Sequence, residues 1–162
     1  MATQSNFHRT FTDMLHATLC FLATHESLTP MPKRFASICF ESTENHRESY
    51  RSLLLTTPGL GDYINGVILF EETLTQNDSR GQALPRVAWS QKIVPGIKVD
   101  KGKGPLALSP GDLITQGLDG LADRLKQYKE QGARFAKWRE VYAIDGRAPT
   151  QHGIEAHAAM LA

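Results

Sequence analysis

The residues best suited to chemistry lie in two short charged stretches. Gly96-Ile97-Lys98-Val99-Asp100 alternates apolar and charged side chains, and alternation at period two is a strand signature. Residues two apart on a strand share a face, so Lys98 and Asp100 point one way and Ile97 and Val99 the other. Arg134-Phe135-Ala136-Lys137-Trp138-Arg139 repeats the design, with Lys137 and Arg139 on one face. Ionised groups on a covered face need partners or a task. Alternating β/α proteins bind ligands at the carboxyl ends of their strands. Cations placed there would hold a polyanion, most simply phosphate. The competing reading is a pair of edge strands with solvated charges, since exposed lysine is the norm.

The elements that must position these residues follow from periodicity. Phe7, Phe11, Met14, Leu15, Thr18 and Leu22 have helical spacing, which predicts an amphipathic helix from Asn6 to about Leu19. Leu19 to Ala23 reads as a short strand. Pro30 and Pro32 exclude regular helix from Leu28 to Lys33. Ser42 or Thr43 caps a helix from Glu44 to Leu55, with Tyr50, Leu53 and Leu54 as its buried face. Thr57 to Asp62 is a loop by composition. Gly66 to Phe70 is an apolar strand of the kind covered on both faces in parallel sheets, and a short helix follows Pro85. Lys101 to Asp112 is a long glycine- and proline-rich loop. Ile114 to Gln131 reads as a helix burying Leu118, Leu121, Ala122, Leu125 and Tyr128, stopped by Gly132. The Lys137 strand runs to Ile144. Pro149 opens a last helix whose apolar side is Ile154, Ala158 and Leu161. The pattern is strand then helix, repeated about four times, which predicts an α/β fold.

The 162 residues are one domain by length, and long enough to bury a core. Hydrophobic residues make up 41% and charged residues 22%, which argues against wholesale disorder. A net charge of +1 gives no support to nucleic-acid or membrane-surface binding. No apolar run approaches the roughly 20 residues of a membrane span, and no signal peptide is evident. Cys20 and Cys39 suit buried thiols in a reducing compartment, so the expected location is cytoplasmic. Six histidines offer no pair at helical zinc spacing, and no metal is expected. Gly59-x-Gly61 and Gly102-x-Gly104 are too short for a dinucleotide fingerprint.

Several blocks carry a specific likeness: T-P-G-L-G-D-Y-I from Thr57, G-V-I-L-F-E-E-T-L from Gly66, I-V-P-G-I-K-V-D-K-G from Ile93, Q-G-L-D-G-L from Gln116 and G-A-R-F-A-K-W-R from Gly132. In order and spacing they resemble class I fructose-bisphosphate aldolase from about Glu26 onward. Upstream the likeness is weak, so residues 1–24 stand apart as an N-terminal helix and first strand, and residues 25–162 as the N-terminal half of an aldolase-type barrel.

The resemblance implies a (β/α)8 TIM barrel, here truncated to about its first four β/α units. It implies reversible aldol cleavage of fructose 1,6-bisphosphate to dihydroxyacetone phosphate and glyceraldehyde 3-phosphate. That reaction uses a lysine Schiff base and no metal or other cofactor. By the same resemblance Lys98 contacts substrate near the reacting carbons, and Lys137 polarises the bound ketose and assists carbinolamine formation. Glu26 follows the position of the family's catalytic aspartate and joins the catalytic set. Ser27 and Arg34 match phosphate-site positions, Arg47 a substrate-binding one, and Arg139 supports substrate binding. Asp100, on the face of Lys98, completes the binding set. The implied partner is a phosphorylated sugar, with no nucleic acid and no membrane.

The likeness breaks at three places, the first being the family's glycine before the first strand, which is replaced near Cys20. His25 stands where the family has an aspartate, and an imidazole beside cationic lysines is neutral or repelled. Leu28-Thr29-Pro30-Met31-Pro32 replaces a glycine-containing phosphate loop. The resemblance also puts the Schiff-base lysine, a glutamate acid/base pair and the second phosphate site on later strands, so these residues alone are expected to be inactive. Alternatives are a non-catalytic half-barrel that self-associates through open strand edges, a phosphosugar-binding remnant, and an unfolded product.

Overall fold

In the computed structural model, residues 2–15 and 19–162 are described. Residues 16–18 of the predicted first helix lie outside them. The chain divides into two compact units, one of residues 1–98 and 125–136, the other of residues 99–124 and 137–162. Among the described residues no helix is long and apolar enough to cross a membrane.

The first unit is built on parallel strands. β1 (Cys20–Thr24) pairs with β2 (Ile64–Leu69), and β2 with β3 (Val94–Lys98), both in parallel. β6 (Phe135–Lys137) completes the order β1-β2-β3-β6, with the Arg134 amide donating to the Pro95 carbonyl at 2.7 Å. Val94, Pro95, Gly96 and Ile97 are all buried. β3 is therefore covered on both faces, which excludes the reading of the Lys98 strand as a solvated edge. The strand also sits two residues earlier than alternation predicted, ending at Lys98 and leaving Asp100 beyond it. On one face of this sheet two phenylalanines lie over glycines. A Cβ at Gly66 would run into the Phe21 ring, and one at Gly96 into Phe135. The two rings meet edge to face, 5.6 Å apart at 88°, a favoured aromatic geometry.

Helices connect the strands. α1 (Ala2–Met14) precedes β1 and exposes Phe7 and Phe11. α2 (Met31–Ala36) forms where the prolines were expected to forbid a helix. Pro30 is its N-cap and Pro32 lies in its first turn, where a missing N–H costs nothing. α3 (Glu44–Leu55) has the predicted bounds, and the Thr43 hydroxyl accepts from the His46 amide at 3.2 Å. Its buried face differs: Arg51 and Leu55 are buried, while Leu53 is exposed. Thr43→Ala removes the cap acceptor and should lower stability by about 1 kcal/mol, read as a shift in urea midpoint. An unchanged midpoint would show the cap to be idle. α4 (Leu84–Ser90) lies between β2 and β3 and is also as predicted.

The second unit holds a hairpin where sequence indicated a loop. β4 (Lys103–Pro105) pairs antiparallel with β5 (Leu113–Thr115). Ile114 is thus in a strand, and α5 is confined to Leu121–Glu130. Gly117 and Gly120 precede it at φ +123° and +63°, a left-handed region that helix cannot continue through. Of the face predicted for α5 only Tyr128 is buried, and Gly132 ends the helix at φ +112°. β6 stops at Lys137, so the predicted run to Ile144 is irregular. α6 (Gln151–Leu161) is capped by Thr150, whose hydroxyl accepts from the Gly153 amide at 3.1 Å. It buries Gly153 and His157, not the predicted Ile154, Ala158 and Leu161.

Candidate active site

In the first unit the predicted residues gather beyond the ends of β1 and β2. Glu26 and Ser27 follow β1 and are partly buried. Glu26 accepts an ion pair from Arg34 of α2 at 3.0 Å, with the arginine largely exposed. Such a pair contributes little to stability but orients a carboxylate. Arg47, on α3, does not reach toward them. Its Nε and Nη2 donate to the two oxygens of Glu72 at 3.0 and 2.6 Å, and its Nη1 donates to the Ser42 carbonyl at 2.6 Å. This bidentate fork is the strong form of the pair, and it holds the Glu72 carboxyl below the usual carboxylate range. Arg51 assists and burial opposes. The Arg47 guanidinium is raised for the same reason, its hydrogen bond to Glu72 being the largest cause.

Arg51, which sequence reasoning did not single out, is two per cent exposed. Its Nη1 donates to Glu72 and to Gln76 Oε1, the latter at 2.9 Å. Its Nη2 donates to the Glu26 carbonyl at 3.4 Å, and its guanidinium lies 5.7 Å from the Phe70 ring centroid. The available signal was Arg47 and Arg51 four residues apart on one helical face, opposite Glu71-Glu72 after an apolar strand. Lys98 ends β3 and is half-buried.

In the second unit Asp100 is three per cent exposed. Lys137, the last residue of β6, is half-buried, and Arg139 is exposed. The Arg139 carbonyl accepts from the Thr115 hydroxyl at 2.7 Å, tying the segment after β6 to the hairpin. Trp138 is half-buried and donates through its indole to Glu140 at 2.6 Å. Buried His157 lies between the Glu140 carboxylate and the Leu113 carbonyl. Asp112 accepts from Ser109 and from the Thr150 amide and hydroxyl, which hold its carboxyl below the usual range. An open cavity of about 690 Å³, lined by Lys101, Gln116, Asp119 and Arg124, contains none of the residues chosen from sequence. Cys20 and Cys39 are exposed free thiols, not the buried ones expected.

Comparison with known proteins places this arrangement. A sequence model of class-I fructose-bisphosphate aldolase matches residues 6–162. A probable class 1 fructose-bisphosphate aldolase of Xylella fastidiosa is 50% identical over 141 residues, covering 87% of this chain and 42% of the relative. A chloroplastic fructose-bisphosphate aldolase of Oryza sativa is 57% identical over 123 residues, covering 76% of this chain and 32% of the relative. The chain thus spans less than half the length of these relatives. A solved structure of fructose-bisphosphate aldolase from Plasmodium falciparum, in ternary complex with TRAP and a small-molecule inhibitor, superposes with a TM-score of 0.88 at 44% identity. It covers 94% of this chain and 44% of that one. The parallel strands with alternating helices are accordingly part of a TIM-barrel α/β fold. With a family model matching nearly end to end and half of the 141 aligned residues shared with a named relative, the chain belongs to the class-I fructose-bisphosphate aldolases, an aldehyde-lyase family.

Proposed function

We propose that this chain supplies the first strand ends of an aldolase site for fructose 1,6-bisphosphate. In this reading Lys98 meets the substrate near its reacting carbons. Lys137 polarises the ketose carbonyl and assists carbinolamine formation. Ser27 and Arg34 serve a phosphate, Arg139 and Asp100 support binding, and Glu26 sits beside the acid/base chemistry. Arg47 belongs to the set by family position, although its donors are committed to Glu72 and Ser42. The observation that carries the reading is that Lys98 is the last residue of β3 and Lys137 the last residue of β6, strand ends being where β/α barrels place their chemistry. A bisphosphate needs charge-assisted donors of this kind.

By family position the imine-forming lysine lies on a strand beyond these residues. The 162 residues tested by themselves should therefore bind the ketose phosphate without forming an imine. Incubation with dihydroxyacetone phosphate and borohydride should leave the chain unmodified by mass, and one trapped ketose per chain would refute that. Titration calorimetry with fructose 1,6-bisphosphate checks binding. Lys98→Ala with Lys137→Ala should weaken it by about 100-fold or more, counting each lost charge-assisted contact at roughly 1.5–3 kcal/mol. Unchanged affinity would end the reading.

A second reading has one observation of its own. β1 pairs with β2 alone among the described residues and carries the exposed side chain of Phe21. An open edge of this kind invites strand pairing, so self-association is expected at high concentration. Sedimentation showing a monomer throughout would count against it.

A further inference from the structure

We propose that Arg51 is a positioning residue that fixes the Glu26–Ser27 end of β1 against the end of β2. The inference rests on the reading that this strand end belongs to a phosphosugar site. Arg51 is two per cent exposed in the middle of α3. Burying a guanidinium is costly, and an apolar residue of similar volume would fill the space at least as well. What an apolar residue could not do is bridge. One nitrogen of the fork donates to Glu72 and Gln76, which follow β2, and the other to the main-chain carbonyl of Glu26, which follows β1. The ends of two neighbouring parallel strands are thereby tied to one rigid plane. The Phe70 ring, 5.7 Å from the guanidinium carbon, restricts where that plane can lie.

The tie meets the chain at a telling point. Glu26 gives its carbonyl to Arg51 and its carboxylate to Arg34, so both halves of the residue are held. Ser27 comes next and takes its main-chain direction from Glu26. A lysine at position 51 keeps the charge but is a single point donor on a flexible stem. It cannot span both strand ends in a fixed geometry. Glu72 keeps its bidentate pair with Arg47 when Arg51 is changed, so the substitution does not strand that carboxylate.

The test compares the full chain with Arg51→Lys and, as a milder change, Gln76→Leu, which removes one anchor of the fork and no charge. Amide hydrogen exchange at residues 25–28 and calorimetric binding of fructose 1,6-bisphosphate are both read, with Lys98→Ala as the control on the proposed function. Arg51→Lys should speed exchange at residues 25–28 while α4 and β3 keep their protection. Affinity should fall by about tenfold, since a displacement near 1 Å is costly in a site, and Gln76→Leu should shift both readouts in the same direction by less. Unchanged exchange at residues 25–28 in both variants overturns the proposal, as does faster exchange with unaltered affinity. If the parent chain binds no bisphosphate, or Lys98→Ala binds it equally well, the proposed function fails. The exchange result alone then decides whether Arg51 holds the strand end.

Discussion

Gly61→Ala should lower the stability of the chain by about 2–3 kcal/mol, the cost of forcing a methyl into a filled space. Gly61 lies in the short 3-10 turn Leu60–Asp62, and its φ is not in the left-handed region. Conformational freedom is therefore not what it supplies. A Cβ there would overlap the carbonyl oxygen of Gln91 and stand 3.1 Å from the carbonyl carbon. The obstacle is backbone, and that backbone is anchored. The Gln91 amide caps α4 by donating to the Ala88 and Trp89 carbonyls, and its side-chain amide donates to the Leu55 carbonyl at 2.6 Å. Relief of the overlap means loosening the end of α3, the end of α4 or the turn. Gly59 is the internal comparison. It sits at φ +76°, and a Cβ there meets only Asp62, at 3.4 Å. Gly59→Ala should then cost only the left-handed backbone term, about 1 kcal/mol. Urea denaturation followed by tryptophan fluorescence ranks the two variants, and a Gly61→Ala protein at least as stable as Gly59→Ala would refute the steric argument.

That contrast also shows what a sequence can reveal. Thr57 to Asp62 reads as a loop from its proline and glycines, and a turn stands there. Which glycine is needed for space depends on Gln91, thirty residues away, and no local pattern carries it. The same division runs through the fold. β2 was legible because a strand covered on both faces must be continuously apolar. α3 was legible because its cap and first turn are local chemistry. α2 was missed because two prolines weigh heavily in a propensity argument, although the first helical turn tolerates them. The β4-β5 hairpin was missed because its pairing joins Lys103 to Thr115 across a stretch whose composition alone says loop.

Within the site, charge alternation found the strands that carry Lys98 and Lys137 but not where they stop, which is at those two residues and not at Asp100 and Ile144. It could not assign the buried faces of α3 and α6. Both faces centre on residues that hydrophobicity ranks as surface, Arg51 and His157. Each is buried because its donors meet acceptors from distant segments: Glu72 and Gln76 for Arg51, Glu140 and Leu113 for His157. Polar groups enter a core only with such partners, and the partners are a property of the folded chain.

Glu72 is where removing a partner should cost most. Glu72→Ala strips the carboxylate from two arginines at once, and one of them, Arg51, is almost wholly buried. Breaking a buried pair by deleting one partner costs about 3–5 kcal/mol. The remaining acceptors, the Ser42 and Glu26 carbonyls and Gln76 Oε1, offset part of the lost hydrogen bonding but none of the charge. The effect has a pH signature. In the folded chain the Glu72 carboxyl is held below its unfolded value, first by its hydrogen bond from Arg47 and then by Arg51. A group depressed on folding stabilises fully above its unfolded pKa, about 4.3 for glutamate, and loses that contribution as pH falls through the folded value. Glu72→Gln keeps the shape and one acceptor but cannot ionise. It should be clearly less stable than the parent at pH 7, and the gap should narrow as the pH is lowered below about 4. Denaturant midpoints of both proteins at pH 7 and near pH 3 provide the check. A gap that stays constant across that range would mean that the Glu72 charge does not hold the two arginines in place, and that the network survives on neutral hydrogen bonds alone.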